Sequence, residues 1–168
     1  MWDSRLEETL PAVQDRIQQA LDRAGRAGED VRIVAVTKGH PIAVAEAAIR
    51  AGLTTLGENR IGELGEKVAA VGRNAAEWHM IGHLQRNKAR DAVSLMDRIH
   101  SVDSLRLARK LSKEAEKAGT VIRGYMQVNV SGEGSKGGFG PSNAVASLEA
   151  MAALDALEIE GLMTMAPY

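Results

Sequence analysis

A chain of 168 residues, 45% hydrophobic and 26% charged, is long enough to bury a sizeable core and ordinary enough in composition to fold as one globular domain. A formal net charge of -1 supplies no global field toward nucleic acid or a membrane surface, and 3% aromatic residues leave little for base-stacking platforms. The absence of cysteine excludes disulfides, thiolate zinc sites and cysteine nucleophiles and fits a reducing compartment. The N-terminus is polar, without the apolar core of a signal peptide, and no apolar run approaches the roughly 20 residues of a membrane span, so the expected location is the cytoplasm.

The first segment, about 5–25, reads as a helix, with Leu6, Leu10, Val13, Ile17, Ala20 and Leu21 at spacings of three and four. Pro11 predicts a break there, or a helix beginning near Leu10 with the proline in its first turn; the end is expected near Gly25 or Gly28. Val31 to Thr37 is β-branched and almost wholly apolar, which predicts a buried strand. A helix over Ile42 to Ala51, a second strand over Leu53 to Leu56 and a helix over Ile61 to Val71 follow. The cycle continues with a strand over Trp78 to Ile81, helix from Leu84 to Leu95, a strand over Arg98 to Val102, and a helix to about Ala118 capped by Asp103 or Ser104. Val121 to Val130 reads as a fifth strand with a loop over Ser131 to Gly140. Pro141 can start a helix to about Leu154, and Leu157 to Met165 reads as a sixth strand.

Strands alternating with single helices predict right-handed βαβ units and a parallel sheet. Lys38, Glu58 and Asn59, His79, Ser101 to Asp103, Asn129 to Ser131 and Thr164 fall in or just beyond the C-terminal halves of successive strands. That spread favours a TIM-type β/α barrel, whose active face is the C-terminal end of every strand, over a doubly wound sheet with one switch point.

Six segments then carry a pattern: Val34-Ala35-Val36-Thr37-Lys38; Leu56-Gly57-Glu58-Asn59; Trp78 to Lys88; Val128-Asn129-Val130-Ser131; Ser135-Lys136-Gly137-Gly138; and Gly161-Leu162-Met163-Thr164-Met165. In order and spacing they resemble the pyridoxal phosphate homeostasis family from about residue 5 onward. The resemblance implies a β/α barrel like the N-terminal domain of alanine racemase (the type III fold of pyridoxal phosphate proteins), with pyridoxal 5'-phosphate held as a Schiff base on Lys38. It implies a mainly monomeric cytosolic protein that binds, protects and hands over the cofactor, with pyridoxal-phosphate-dependent apoenzymes as recipients and no established turnover. Family members continue through strands seven and eight, so the barrel here is expected to be truncated after about six strands, with two open parallel edges. The family's phosphate-binding segments do not occur in this chain, and its second lysine is replaced by His40.

The chemistry has its own logic. A Schiff base needs a neutral amine, whereas free lysine titrates near ~10.4, leaving about one in a thousand uncharged at neutral pH. Packing the Lys38 stem against the aliphatic strand residues before it would favour the neutral form. Asn59 at the neighbouring strand end is placed to hydrogen-bond the ring oxygen, His79 to line the ring's far side, and Met163 to pack against it. The plainer alternatives are that Glu58 and Asn59 cap the next helix, that His79 is structural, that at least one of Met163 and Met165 is barrel core, and that Asn87 and Lys88 face solvent or a partner. Gly132 to Gly137 satisfies G-x-G-x-x-G but lacks an immediate helix, so a dinucleotide site is not expected; the resemblance makes Ser135-Lys136 a loop over the mouth, with Lys136 able to meet an anion. The competing function is an amino-acid racemase, which needs a second acid–base group such as a tyrosine; only Tyr125 and Tyr168 are available.

Overall fold

The computed structural model describes residues 2–131 and 137–165. Their elements are α1 (Trp2–Arg23), β1 (Ala35–Val36), α2 (Ile42–Arg50), β2 (Thr55–Glu58), α3 (Ile61–Val71), β3 (Glu77–Met80), α4 (Ala89–Leu95), β4 (Arg98–Val102), α5 (Leu105–Ala118), β5 (Ile122–Gln127), α6 (Ala144–Ala152) and β6 (Leu157–Met163). The strands form one sheet in the order β1-β2-β3-β4-β5-β6, every pair parallel. Each strand therefore lies beside the next in sequence, with no point where the order reverses. That is the winding of a β/α barrel, here a partial one, in which β1 and β6 each have one neighbour among the described strands.

The alternation of side chains along the strands divides the molecule. On the outward face, Leu56, Trp78, Met80, Ile99, Ile122 and Met126 are buried against Leu64, Ala89, Ala92, Leu107, Leu111 and Met151 of the helices. The inward face is largely polar. Arg98 pairs with Glu77 and with Glu160, the latter at 2.5 Å, Arg32 with Glu77 at 2.7 Å, and Arg123 with Glu158 at 3.0 Å. This belt crosses the N-terminal ends of the strands.

Several boundaries differ from expectation for identifiable reasons. Helix α1 runs unbroken through Pro11. Pro11 is exposed, so the carbonyl that loses its partner faces water and the usual penalty is blunted. Strand β1 is two residues long instead of seven: only Ala35 and Val36 find ladder partners, Leu56 and Gly57 of β2, and residues 31–34 stay outside the ladder. Strand β2 starts at Thr55, since the Leu53 amide is already engaged by the Ala48 carbonyl at 2.9 Å in closing α2. The segment from Leu84 enters α4 through a single 3-10 turn at Arg86–Lys88, and α6 through another at Pro141–Asn143. The cap of α5 is Ser104, whose hydroxyl accepts from the Leu107 amide at 3.3 Å. No helix among the described residues is long and apolar enough to cross a membrane.

Candidate functional site

Lys38 sits just past β1 in a tight turn. The His40 amide donates to the Thr37 carbonyl at 3.1 Å, and Gly39 has φ +69°. Since Lys38 itself has no positive φ, this is a type II turn with Lys38 at its first central position, and the second central position demands glycine. Gly39 donates onward to Glu63 Oε2 of α3 at 3.1 Å. Thr37 points outward and is buried, so Lys38, one residue on, faces the barrel mouth. Its side chain is exposed, contrary to the expected packing of the stem. The cause is β1's position at the sheet edge, where Val36 on the same inward face is itself 47% exposed.

A cavity of about 810 Å³ opens at the C-terminal ends of the strands, lined by Lys38, Asn59, Ile81, His83, Gln127, Val128, Asn129, Met163 and Met165 with the backbone of Gly82 and Gly137. Three of the four candidate residues, Lys38, Asn59 and Met163, thus share one wall-to-wall space. Lys38 carries the one primary amine among the described lining residues. Asn59 is held by a close approach of backbones: a Cβ on Gly82 would lie 2.6 Å from the Asn59 carbonyl oxygen and 2.8 Å from its Cα. Gly82 is fixed in turn by the Ser101 hydroxyl, which donates to its carbonyl at 2.6 Å. The helix-capping alternative for Glu58 and Asn59 is not realised: Arg60 precedes α3 and no side chain caps that end. Both methionines line the cavity, so neither is plain core.

His79 is not among the lining residues. It projects inward two residues before Ile81, one layer deeper, is 1% exposed, and meets His100 across a 2.9 Å hydrogen bond, Nδ1 to Nε2. Tyr125 packs edge-on against His100, ring centroids 4.8 Å apart. Burial pushes both imidazoles down to about 4, so the pair is neutral near pH 7. His83 sits apart from His79 at the rim, 3.0 Å from Asp103 Oδ2. His40 turns toward α1, edge-on to Trp2. Residues 132–136 of the glycine-rich stretch, with Lys136 among them, and Tyr168 lie outside the described residues.

The sequence of the alanine racemase N-terminal domain family matches residues 9–168. The pyridoxal phosphate homeostasis protein of Aquifex aeolicus (strain VF5) is 37% identical over 161 residues, which cover 96% of this chain and 71% of that protein. The chain belongs to the pyridoxal phosphate homeostasis protein family. Among solved structures, PipY of Synechococcus elongatus PCC7942 with PLP bound superposes with a TM-score of 0.74 at 36% identity, covering 86% of this chain and 68% of PipY. The same protein solved without PLP gives 0.77 at 39% identity, with 82% and 64% covered. The alanine racemase of Clostridium difficile 630, 22% identical with a TM-score of 0.70, shares the fold.

One buried residue of this family member escaped the sequence reading, and it gives Glu58 a role the sequence did not suggest. Lys67 of α3, 3% exposed, donates to Glu58 Oε1 and to the Thr37 carbonyl, both at 2.6 Å. Glu58 is fully buried and faces the helices, away from the cavity. The available signal was that Lys67 lies on the stripe of Leu64, Val68 and Val71 at spacings of three and four, where a lysine needs a buried partner.

Proposed function

We propose that this chain binds pyridoxal 5'-phosphate at the mouth of the partial barrel, linked covalently through Lys38 Nζ, and serves pyridoxal phosphate homeostasis inside the cell by holding the cofactor and yielding it to apoenzymes. The observation that carries this reading is the convergence of Lys38, Asn59 and Met163 on one cavity at the strand ends. The cavity's about 810 Å³ lies within the roughly 300–1,000 Å³ of small-molecule sites. Its donor set suits a flat, polar-edged ring: an amine to attach it, the amides of Asn59 and Gln127 for its polar edge, and Ile81, Val128 and Met163 for its faces. When bound, the cofactor supplies an aldehyde carbon that an amine can attack with release of water. Lys38 is presented for that role by its turn, and Asn59 is held in reach by Gly82. No arginine lines the described cavity, so the fit is to the ring end of the cofactor.

Borohydride reduction in the presence of cofactor, followed by peptide mass mapping, should place the modification on Lys38 and lose it in Lys38→Ala. Modification elsewhere, or none, overturns the reading. The racemase alternative draws no support from Tyr125, which packs on His100 and does not line the cavity. Sustained conversion of L-alanine to D-alanine by the purified protein would nonetheless replace the carrier role with an enzymatic one.

A further inference from the structure

The most unusual chemistry outside the cavity lies directly behind its lysine. Lys67 and Glu58, 3% and 0% exposed, form an ion pair of 2.6 Å between the sheet and α3. Taking two charges out of water costs more than their attraction readily returns, and apolar replacements of such pairs are often neutral or stabilising. Stability therefore does not explain the pair, but its geometry does. Besides Glu58, Lys67 Nζ grips the Thr37 carbonyl at 2.6 Å, while the Thr37 hydroxyl donates to the same Glu58 oxygen at 2.5 Å. The Thr37 amide donates to the Gly57 carbonyl at 3.1 Å. Every polar group of Thr37 is thus engaged, and its carbonyl belongs to the peptide that joins it to Lys38. Glu63, one turn before Lys67 on α3, accepts from the Gly39 amide on the other side of Lys38. Helix α3 therefore holds the backbone both before and after the one exposed lysine of the cavity.

We propose that the buried Lys67–Glu58 pair positions Lys38 for cofactor attachment by fixing the Thr37–Lys38 peptide from behind; this rests on the cofactor reading above. Neither residue lines the cavity, so the pair acts through Thr37 and not by touching the ligand. A precise orientation is worth having because a displacement of about 1 Å in a reacting group can cost on the order of a hundredfold in rate. A buried charged clamp resists such displacement better than apolar packing does, since its bonds have direction.

The test follows the rate at which added pyridoxal phosphate becomes lysine-linked, read from its visible absorption and from borohydride-trapped Lys38, together with the thermal midpoint. The double variant Glu58→Gln with Lys67→Met removes both charges at similar volume. It is expected to keep or raise the thermal midpoint while attachment slows by roughly tenfold to a hundredfold. Thr37→Val should slow attachment in the same sense, and Thr37→Ser, which keeps the hydroxyl, should restore it. A folded double variant that attaches cofactor as fast as the parent overturns the proposal. If that variant does not fold, Thr37→Val decides: parental attachment overturns the proposal, slowed attachment rescued by Thr37→Ser supports it. A parent that never carries cofactor on Lys38 overturns the functional reading and this proposal with it, whereas equal attachment in parent and variants overturns the positioning role alone.

Discussion

The buried imidazole pair makes the fold acid-sensitive in a window set by His79. In the unfolded chain its ring takes up a proton near pH 6.5; in the fold, desolvation holds this off until about 4. Between those values the unfolded state binds more protons, so stability falls as the pH drops through the window and is fully present above it. At about 1.4 kcal/mol per pH unit for one proton, the interval from 6.5 to about 4 corresponds to about 3 kcal/mol. That is a large share of the roughly 5–15 kcal/mol of a typical domain. His100 shifts in the same direction, first through burial and then through His79 and Arg98, but it is only half-buried and contributes less. Glu160, held down by Arg98, keeps its charge below the usual carboxylate range and adds its own loss only at lower pH. Urea midpoints at about pH 7, 6 and 5 should therefore fall steadily, with most of the parent's slope in that range belonging to the histidines. His79→Asn retains a neutral group where Nδ1 meets His100 but cannot titrate, so its slope should drop by more than half. A variant whose pH dependence tracks the parent would refute the assignment of the acid sensitivity to this pair.

Three further substitutions separate the parts of the site. Gly82→Ala places a methyl 2.6 Å from the Asn59 carbonyl oxygen, backbone against backbone, so a strand end must move; a loss of about 2–3 kcal/mol in denaturant titration is expected, with weaker cofactor uptake. Gly39→Ala meets no neighbour within 4 Å but must adopt φ +69°, so its cost of about 1 kcal/mol is conformational, and the altered turn should slow attachment at Lys38 as read by absorbance. Ser104→Ala removes the α5 cap to the Leu107 amide and should cost about 1 kcal/mol by thermal melting while cofactor uptake is unchanged, since Ser104 does not line the cavity.

The parts of the fold legible in the sequence are those decided by local pattern. The stripe of α3 and the strand at Arg98–Val102 were placed at their observed bounds, because periodicity and flanking signals there agree. The errors arise where a partner decides. Strand β1 is short because β2 offers partners only to Ala35 and Val36, and no strand propensity in Val31 to Val34 can supply more. Strand β2 slips two residues because Leu53 spends its amide on α2. The same division holds for the site. Lys38, Asn59 and Met163 share one cavity because parallel strands in sequential order bring all their C-terminal ends to one mouth, a placement that position along the strand makes legible. His79 fails that rule by one step of the two-residue alternation: Ile81 takes the mouth and His79 falls to the layer below, where it needs His100 more than a ligand. Lys67 was passed over for the opposite reason, since a charged residue on a helix rich in charge reads as a solvated face, and Glu58 was read instead as a helix cap or a cofactor contact. Only the register of α3 against β2 turns them inward, and once there, two charges excluded from water are tolerated because each finds the other and the backbone that carries Lys38. The feature that best explains the lysine's orientation is thus the one a linear pattern is least able to reveal, because it depends on which face of a helix meets which face of a strand.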